Sequence, residues 1–377
     1  MKKLFLFSVA ALAFCACSSD ETVSENSAAN QQPKQISFAP LNKVNTRAAV
    51  QGTTFPTTNT MEVRAYQTQP SAAEYFPKTT YKYQYAGGSS TGAGSTWGGD
   101  PARYWPLSAA KLNFFAVSGA SVTASHITIA NALASASVAY TSANLYGATT
   151  QSDIMYAFGR GAVTQSGNNL TFNNSAPVDM EFKHALALIN FQIKAGNDAS
   201  KAIEIKKIEL NGARYTGSLT ITNTNAETES STWSAKVDWT PDGVVNNVKV
   251  PNIGNETTPV ALTTDFAPDN SDTEEPTDWA SLMIIPSTQT ATVTQYGFTT
   301  IKITYVLDSK EYTYEYAPAG WTDEDSNPTT PDVATPTYVE AGKKYTYQIT
   351  MTLHEILINP TVDDWDNATG SPFAVGI

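Results

Sequence analysis

The chain contains many short stretches in which apolar and polar residues alternate. Met61, Val63 and Ala65 form one such series, and alternate tyrosines occupy 81–85. A period of two predicts β-strands with one buried face. Further strand-length runs, bounded by Gly, Pro, Asn or Asp, recur after residue 200. We therefore predict an all-β protein whose many short strands form antiparallel β-sandwiches.

Two parts of the chain depart from this pattern. The stretch 86–100 is rich in glycine and serine, and we interpret it as a flexible connection. It is not followed by GK[ST], so it does not predict a phosphate-binding loop. The stretch 126–140 has a mixed periodicity that also permits a short helix, and the sequence leaves its structure open.

The residues after Trp105 predict a strand with two different faces. Leu112, Phe114 and Ala116 share one face, and Phe115 lies on the opposite one. Both faces carry large apolar side chains near the middle of the strand.

The length of 377 residues allows about two domains. The run 175–196 first alternates and then becomes almost continuously apolar, so we expect it to close one domain and open the next. The predicted division is a signal peptide at 1–16, a tether with a removable first strand at 17–47, and two β-sandwiches at 48–178 and 179–377.

The amino-terminal residues predict export. Two lysines precede an apolar run at 4–14 that is too short to span a bilayer but fits the hydrophobic region of a secretory signal. Residues 18–35 lack aromatic side chains, so we expect a disordered tether there. Within 36–41, apolar and polar residues alternate before a proline, which predicts one short strand.

Both cysteines of the chain, Cys15 and Cys17, follow this apolar run directly. A disulfide between residues two apart has unfavourable geometry, and a zinc site needs about four ligands. Ala16 before Cys17 resembles a bacterial lipobox, whereas bulky Phe14 makes Cys15 a poorer match. We predict lipidation of Cys17, and the acyl chains would hold the protein to a membrane. The alternative is an ordinary signal peptide cut near Ala16.

Charge limits the possible partners. The formal net charge is −12 at pH 7, and such a surface repels nucleic-acid backbones. Ser18–Glu21, directly after the predicted lipidated cysteine, forms an acidic start that resembles the signal carrying some lipoproteins to the outer face of the outer membrane. We therefore predict a surface-exposed location and no nucleic-acid partner.

No motif predicts an enzyme. The three histidines, His126, His184 and His354, are far apart, and HExxH is absent. The GxSxG match at 88–92 lies in the glycine- and serine-rich stretch rather than in a strand-to-helix elbow. His184 lies in an apolar run, so we interpret it as a hydrogen-bonded structural residue. The acidic loops 269–278 and 322–327 do not match a calcium-binding loop and are interpreted as solvated turns. We predict no catalytic activity, no metal and no cofactor.

The tryptophans support a second hypothesis. Indole rings stack on sugars, although most tryptophans in β-sandwiches are core or edge residues. Trp321 lies in an acidic loop and is the candidate ligand contact. On this hypothesis the protein is a monomeric surface lipoprotein that binds glycans or other host ligands.

Several segments resemble, in their order along the chain, the fimbrillin family, which comprises the subunits of type V pili. The matching segments are Thr46–Ala48, Tyr104–Val117, Ser152–Gly159, Met180–Ile193, Leu282–Gln289 and Ala341–Trp365. The resemblance implies a fold of two tandem transthyretin-like β-sandwich domains. It also implies a structural role in a fimbrium that mediates cell adhesion.

The resemblance implies a specific route of assembly. A lipidated precursor at the outer membrane would be cut by an arginine-specific protease between Arg47 and Ala48. Cleavage would remove the short strand that carries Ile36, Phe38 and Leu41. A strand from another pilus subunit would then fill the groove by donor-strand complementation.

The candidate donor strand lies at the carboxy terminus, where Phe373, Val375 and Ile377 alternate with small residues. The same pattern fits the last strand of the protein's own domain, and both interpretations stay open. The sequence also leaves open whether this is a stalk, tip or anchor subunit.

Overall fold

The structure is a computed structural model that describes most of the chain between residues 32 and 364. The described residues are 32–42, 61–76, 82–88, 95–100, 102–118, 127–130, 135–141, 153–197, 202–214, 216–223, 235–241, 247–268, 280–286, 288–289, 294–295, 297–317 and 339–364.

These residues form an almost purely β structure, which confirms the predicted fold class. The strands of the first half are β1 (Ser37–Asn42), β2 (Met61–Gln69), β3 (Ala73–Glu74), β4 (Lys82–Gly88), β5 (Ser95–Asp100), β6 (Ala110–Ser118), β7 (Ile127–Ala130), β8 (Ser135–Thr141), β9 (Met155–Ser166), β10 (Asn169–Phe172), β11 (Val178–His184) and β12 (Ala187–Ala195). A 3₁₀ turn, Asn173–Ser175, joins β10 to β11.

The second half continues the same pattern of short strands. They are β13 (Ile203–Asn211), β14 (Thr216–Asn223), β15 (Ala235–Pro241), β16 (Val248–Lys249), β17 (Val260–Ala261), β18 (Ser281–Ile284), β19 (Thr288–Gln289), β20 (Thr294–Gln295), β21 (Thr300–Leu307), β22 (Lys310–Tyr316), β23 (Lys343–Met351) and β24 (Ile356–Asp364).

The first sheet has nine strands, and seven of them pair in a closed circuit. From β1 the circuit runs through β5, β4, β2, β6, β9 and β11 and returns to β1. The two remaining strands, β3 and β10, pair with β2 and β9. Because the circuit is closed, β1 is an interior strand with a neighbour on each side.

The interior of this sheet forms one apolar cluster. Val63 and Ala65 of β2 and Leu112 and Phe114 of β6 are among its buried residues. The alternation along these strands therefore predicted the inward faces correctly. Phe115 belongs to a second cluster, which confirms its predicted position on the opposite face of β6.

The other main sheets are formed mostly by strands from the second half of the chain. One has the order β18-β12-β23-β24, and another has the order β16-β13-β21-β22 with β17 beside β13. In a further sheet, β8 from the first half pairs antiparallel with β14 from the second half. A small pair is formed by β19 and β20.

The second apolar cluster joins these sheets to the outer face of the first one. Val117 and Tyr156 of the first sheet are buried in the same cluster as Phe191 and Tyr347, whose rings stack with centroids 5.6 Å apart. The chain passes directly from β11 in the first sheet to β12 in another. The proposed boundary between 178 and 179 falls within β11, and the division into two domains stays a prediction.

Three details differ from the sequence-based expectations. The stretch 86–100, interpreted as a flexible connection, contains the end of β4 and all of β5, so that prediction was wrong. The stretch 126–140 contributes two strands, β7 and β8, rather than a helix. Two pairings, β1 with β11 and β12 with β23, are parallel within an otherwise antiparallel arrangement.

Candidate functional site

The first strand, predicted to be removable, is held on both sides by the first sheet. Residues 38–42 of β1 pair parallel with 178–182 of β11. On the other side, Ser37 and Phe38 pair antiparallel with Gly98 and Trp97 of β5. Taking β1 away would leave backbone groups of two strands without partners. We call the space between β5 and β11 that β1 occupies the slot.

The residues directly before β1 form backbone hydrogen bonds with residues 103–105. The amide of Ile36 donates to the carbonyl oxygen of Arg103 at 2.7 Å, and the amide of Trp105 donates to the carbonyl oxygen of Lys34 at 2.9 Å. Gln35 and Tyr104 form an antiparallel bridge between these bonds. The segment 34–42 therefore has partners along its whole length.

The inward side chains of this segment fill the apolar core. Ile36 and Phe38 are both 0% exposed. The ring of Phe38 meets Phe114 edge-on, with centroids 5.1 Å apart and planes at 81°. Trp105 meets Phe114 in a similar way, at 5.9 Å and 87°. Burial of one such side chain stabilises a fold by about 1.5–3 kcal/mol.

Two glycines of β9 lie directly against residues that surround β1. A Cβ at Gly161 would overlap the ring of Trp105, whose Cζ3 would lie 3.0 Å away. A Cβ at Gly159 would overlap Met180 and lie 2.8 Å from Cγ1 of Val178. Because Val178 and Met180 pair with Phe38 and Pro40, these glycines shape the surface against which β1 packs.

The middle of β1 contains two buried residues, Ala39 and Pro40. Ala39 is 1% exposed although it lies between two inward residues, so its methyl group is covered as well. Pro40 is also buried. A proline has no backbone N–H to donate, so this position of β1 contributes no donor to the sheet.

A tyrosine supports the segment that carries Trp105. The hydroxyl of Tyr75 donates a hydrogen bond to the carbonyl oxygen of Tyr104 at 2.7 Å. Burial raises the pKa of Tyr75 above its ordinary value of 10.0, and the nearby charge of Arg103 acts in the opposite direction. The hydrogen bond is therefore intact at neutral pH.

The predicted site residues differ in how far the structure describes them. Phe38 lies in the slot, Ile36 is buried directly before it, and Leu41 pairs with Glu181 through the backbone of β1; the removal of this strand stays a prediction. The remaining predicted site residues lie outside the described residues; they are Cys17, Arg47, Ala48, Trp321, Phe373, Val375 and Ile377.

The sequence did not identify the partners of the removable strand. Trp105 and Phe114 were recognised as parts of a strand region, but not as the wall against which Phe38 packs. The paired glycines of β9, two residues apart within an apolar strand, were the available signal, because a strand glycine often marks a close approach. The strand β5 was missed because its glycines indicated a loop.

A buried polar pair lies where the chain leaves the first sheet. The Nδ1 atom of His184 is 2.6 Å from Oδ2 of Asp153, and both side chains are almost completely buried. The prediction that His184 is a hydrogen-bonded structural residue is therefore confirmed. Within the described part of the chain, no three metal-ligating side chains lie together. The same residues include no helix that is long and apolar enough to cross a membrane.

The charged side chains of the β13 sheet pair with one another. Lys207 is 2.9 Å from Glu209, and this hydrogen bond raises the pKa of Lys207 above its ordinary value. Lys206 is 2.6 Å from Glu311 and lowers the pKa of that exposed carboxyl. An exposed pair such as Lys206–Glu311 contributes little to stability.

The described residues form an all-β protein in which β1 closes the first sheet. Its two partners in that sheet, β5 and β11, are distant from it in sequence. A family model described as fimbrillin-like matches residues 46–365. The chain belongs to the fimbrillin-like family, as its motifs predicted.

Several solved structures are similar to this chain. The tip fimbrial protein Mfa3 from Porphyromonas gingivalis, with a C-terminal truncation, is 12% identical, covers 88% of this chain and 100% of its own, and has a TM-score of 0.44. A fimbrial protein from Bacteroides vulgatus is 16% identical over 88% of this chain and 99% of its own, with a TM-score of 0.41. A fimbrial assembly protein from Parabacteroides distasonis is 10% identical over 91% and 99%, with a TM-score of 0.38. No curated protein sequence matches the chain.

Proposed function

We propose that this protein is a non-catalytic structural subunit of a cell-surface pilus, and that it assembles by exchanging β1 for a strand of another subunit. Membership of the fimbrillin-like family supports the pilus role. The observation that carries the exchange is the position of β1, an interior strand whose inward side chain Phe38 is completely buried, as is Ile36 directly before it.

Cleavage after Arg47 would separate β1 from the rest of the protein without cutting a described strand. Residues 43–60 connect the end of β1 to the start of β2, and Arg47 lies among them. An arginine-specific protease is therefore the expected processing enzyme. The cut leaves Ala48 as the first residue of the mature subunit.

Loss of β1 would open the closed sheet between β5 and β11. The slot would then expose the ring of Phe114 and unpaired backbone groups of both neighbouring strands. Exposed apolar surface and free strand edges favour pairing with another chain. The empty slot is thus the driving force for assembly in this proposal.

A strand from a second copy would restore both the hydrogen bonds and the buried surface. The carboxy-terminal segment with Phe373, Val375 and Ile377 is the proposed donor. Because donor and slot are different surfaces of each copy, the contact is head-to-tail and propagates into a filament. The filament would present the subunits to host glycans or proteins and so mediate adhesion.

The precursor would reach the assembly site as a lipoprotein of the outer membrane. In this proposal Cys17 carries the lipid, and cleavage after Arg47 releases the lipid together with β1. Labelled palmitate should enter the wild-type precursor and should not enter a Cys17→Ala variant. Equal labelling of both proteins would contradict the lipid anchor.

The processing step is tested with two substitutions in the same connection. The precursor and its Arg47→Ala and Lys43→Ala variants are treated with an arginine-specific protease and inspected by electron microscopy. We expect filaments from the wild type and from Lys43→Ala, and none from Arg47→Ala. Filaments from Arg47→Ala in the same yield would overturn the proposed route.

A further inference from the structure

The strand β11 pairs with its two neighbours in succession rather than side by side. Residues 178–182 pair with β1, whereas Lys183 and His184 pair with β9. Among the described pairs, no residue of β11 has a partner on both sides. An interior strand carries backbone donors and acceptors on both of its edges. The structure therefore shows pairing with β1 and pairing with β9 as alternatives for each residue of β11.

The part of β9 that lies beside residues 178–182 has a partner on one edge. Residues 155–163 of β9 pair with β6 on that edge. On the other edge, β9 pairs with β11 at 155–156 and with β10 at 163–166. Within the described parts of the chain, 157–162 form no strand pair on this second edge. We call 157–162 of β9 and 178–182 of β11 together the seam.

The two sides of the seam match in size. Continuing the observed register of β9 and β11 places three large residues opposite three small ones. These pairs are Phe182 with Ala157, Met180 with Gly159, and Val178 with Gly161. The three large side chains belong to the inner cluster and would keep their inward direction in this register.

The two strands already lie close together at the centre of the seam. A Cβ at Gly159 would overlap Met180 and lie 3.0 Å from the carbonyl oxygen of Asp179. Glycine permits such a close approach because it has no side chain. A small shift of β11 is therefore enough to bring its backbone into pairing distance of β9.

The outward side chains of the seam match in charge. The continued register places Asp179, which is exposed, directly opposite Arg160. Opposite charges that face each other on neighbouring strands stabilise the pair. Size on the inner face and charge on the outer face thus favour the same register.

The segment that precedes β1 holds a ring over one end of the seam. A Cβ at Gly161 would overlap Trp105, which occupies the space that faces Val178 in the continued register. The amide of Trp105 donates to the carbonyl oxygen of Lys34 at 2.9 Å. Departure of the amino-terminal segment would remove this anchor of Trp105 together with β1.

We propose that β11 is a two-position strand that controls access to the slot. When a strand occupies the slot, residues 178–182 pair with that strand, and after β1 has left they pair with β9 and close the seam. This inference rests on the proposed function, because it requires removal of β1. The closed seam gives partners to backbone groups that would otherwise be exposed, so a cut subunit stays folded while it waits. An incoming strand must displace β11 from β9, and this step sets the rate of assembly.

Binding of a β1 peptide tests the closed seam without the need for filaments. The full-length precursor is cut after Arg47, the released segment is removed, and the monomer fraction is mixed with a fluorescent peptide of residues 34–42. We expect the binding rate to reach a limit as the peptide concentration rises, because β11 must first leave β9. A binding rate that stays proportional to the peptide concentration would overturn the proposal.

Charge reversal tests the register of the seam. Arg160→Asp puts two negative charges opposite each other and should raise the limiting rate about threefold to tenfold. Combining it with Asp179→Arg restores opposite charges and should return the limiting rate to within about twofold of the wild type. Lys310→Asp makes the same change of charge at an exposed position outside the first sheet and should have no effect. Equal limiting rates for the wild type and Arg160→Asp would overturn the register.

A disulfide across the seam provides an independent measurement. Cys15 and Cys17 leave with the cleaved segment, so Arg160→Cys and Asp179→Cys supply the only thiols of the monomer. Oxidation should fix β11 on β9 and slow peptide binding by about tenfold or more, and reduction should restore the rate. Failure of the disulfide to form, or unchanged binding by the cross-linked monomer, would contradict the proposal.

The outcomes distinguish this inference from the proposed function. Release of the segment followed by unhindered peptide binding would overturn the two-position strand while the exchange of β1 stands. Assembly that is too fast to leave a monomer fraction would likewise show that no closed state delays it. A cut protein that keeps its amino-terminal segment would overturn the proposed exchange and this inference with it.

Discussion

Phe38 meets Phe114 edge-on at a centroid distance of 5.1 Å, and this contact joins β1 to the core of the first sheet. Phe114 in turn contacts Trp105, whose backbone binds the segment that precedes β1. The side-chain packing and the backbone hydrogen bonds therefore hold the same stretch of chain. In the precursor, this stretch is part of the folded core.

Phe38→Ala should destabilise the intact precursor by about 3–5 kcal/mol, since truncation of a buried phenylalanine removes buried surface and leaves a cavity. Ser37→Ala, in the same strand, is the matched control and should stay within about 0.5 kcal/mol. Denaturant unfolding of both variants measures the difference. Equal stabilities of the two variants would show that Phe38 is not part of the core.

Gly161→Ala should destabilise the protein by about 1–3 kcal/mol, because overfilling a packed core forces neighbouring groups to move. The new methyl group would overlap the ring of Trp105, so the fluorescence of Trp105 should change as well. Ala162→Ser, on the opposite face of β9, serves as the control. An unaltered unfolding midpoint for Gly161→Ala would contradict the close packing of Trp105.

Asp153→Ala should lower the free energy of unfolding by about 1.5–3 kcal/mol, the range for hydrogen bonds that involve charged groups. The substitution removes the acceptor that lies 2.6 Å from Nδ1 of His184. Asp179→Ala removes an exposed carboxylate from β11 and should have little effect. Thermal unfolding measures the stability of each variant. Equal destabilisation by Asp153→Ala and Asp179→Ala would rule out a structural role for the buried Asp153–His184 pair.

The stability contributed by Tyr75 should disappear in alkaline solution. Because burial raises its pKa in the folded protein, Tyr75 loses its proton at a lower pH in the unfolded chain than in the folded one. Its contribution is therefore complete below about pH 10, the ordinary value for tyrosine, and is lost as the pH rises through the folded-state pKa.

Tyr75→Phe isolates this contribution from the other tyrosines. At neutral pH the variant should be less stable by about 0.5–1.5 kcal/mol, because the hydrogen bond to Tyr104 is absent. The difference between wild type and variant should shrink above pH 10 in denaturant titrations. A difference that is constant with pH would contradict the raised pKa of Tyr75.

Local alternation predicted the strands and their inward faces, because side-chain direction in a strand depends only on position along it. Leu112, Phe114 and Phe115 were assigned to the correct faces for this reason. The short strand with Ile36 and Phe38 was also found. Family motifs, rather than periodicity, indicated that this strand is functional.

The pairing of strands could not be predicted, because it depends on residues that are distant in sequence. Nothing local in β1 indicates a parallel partner more than a hundred residues away in β11. The glycines at 98 and 99 suggested a loop, although they belong to β5, next to β1 and β4. Glycine lowers strand propensity but also permits close packing, and only tertiary structure decides between these effects.

The fate of β1 during assembly tests the central claim most directly. Mass spectrometry of filaments sheared from cells, compared with the unassembled precursor, determines whether the peptide spanning Ile36–Asn42 is present. We predict filament subunits that begin at Ala48 and lack this peptide, and a precursor that retains it. Filaments whose subunits still contain Ile36–Asn42 would contradict the account.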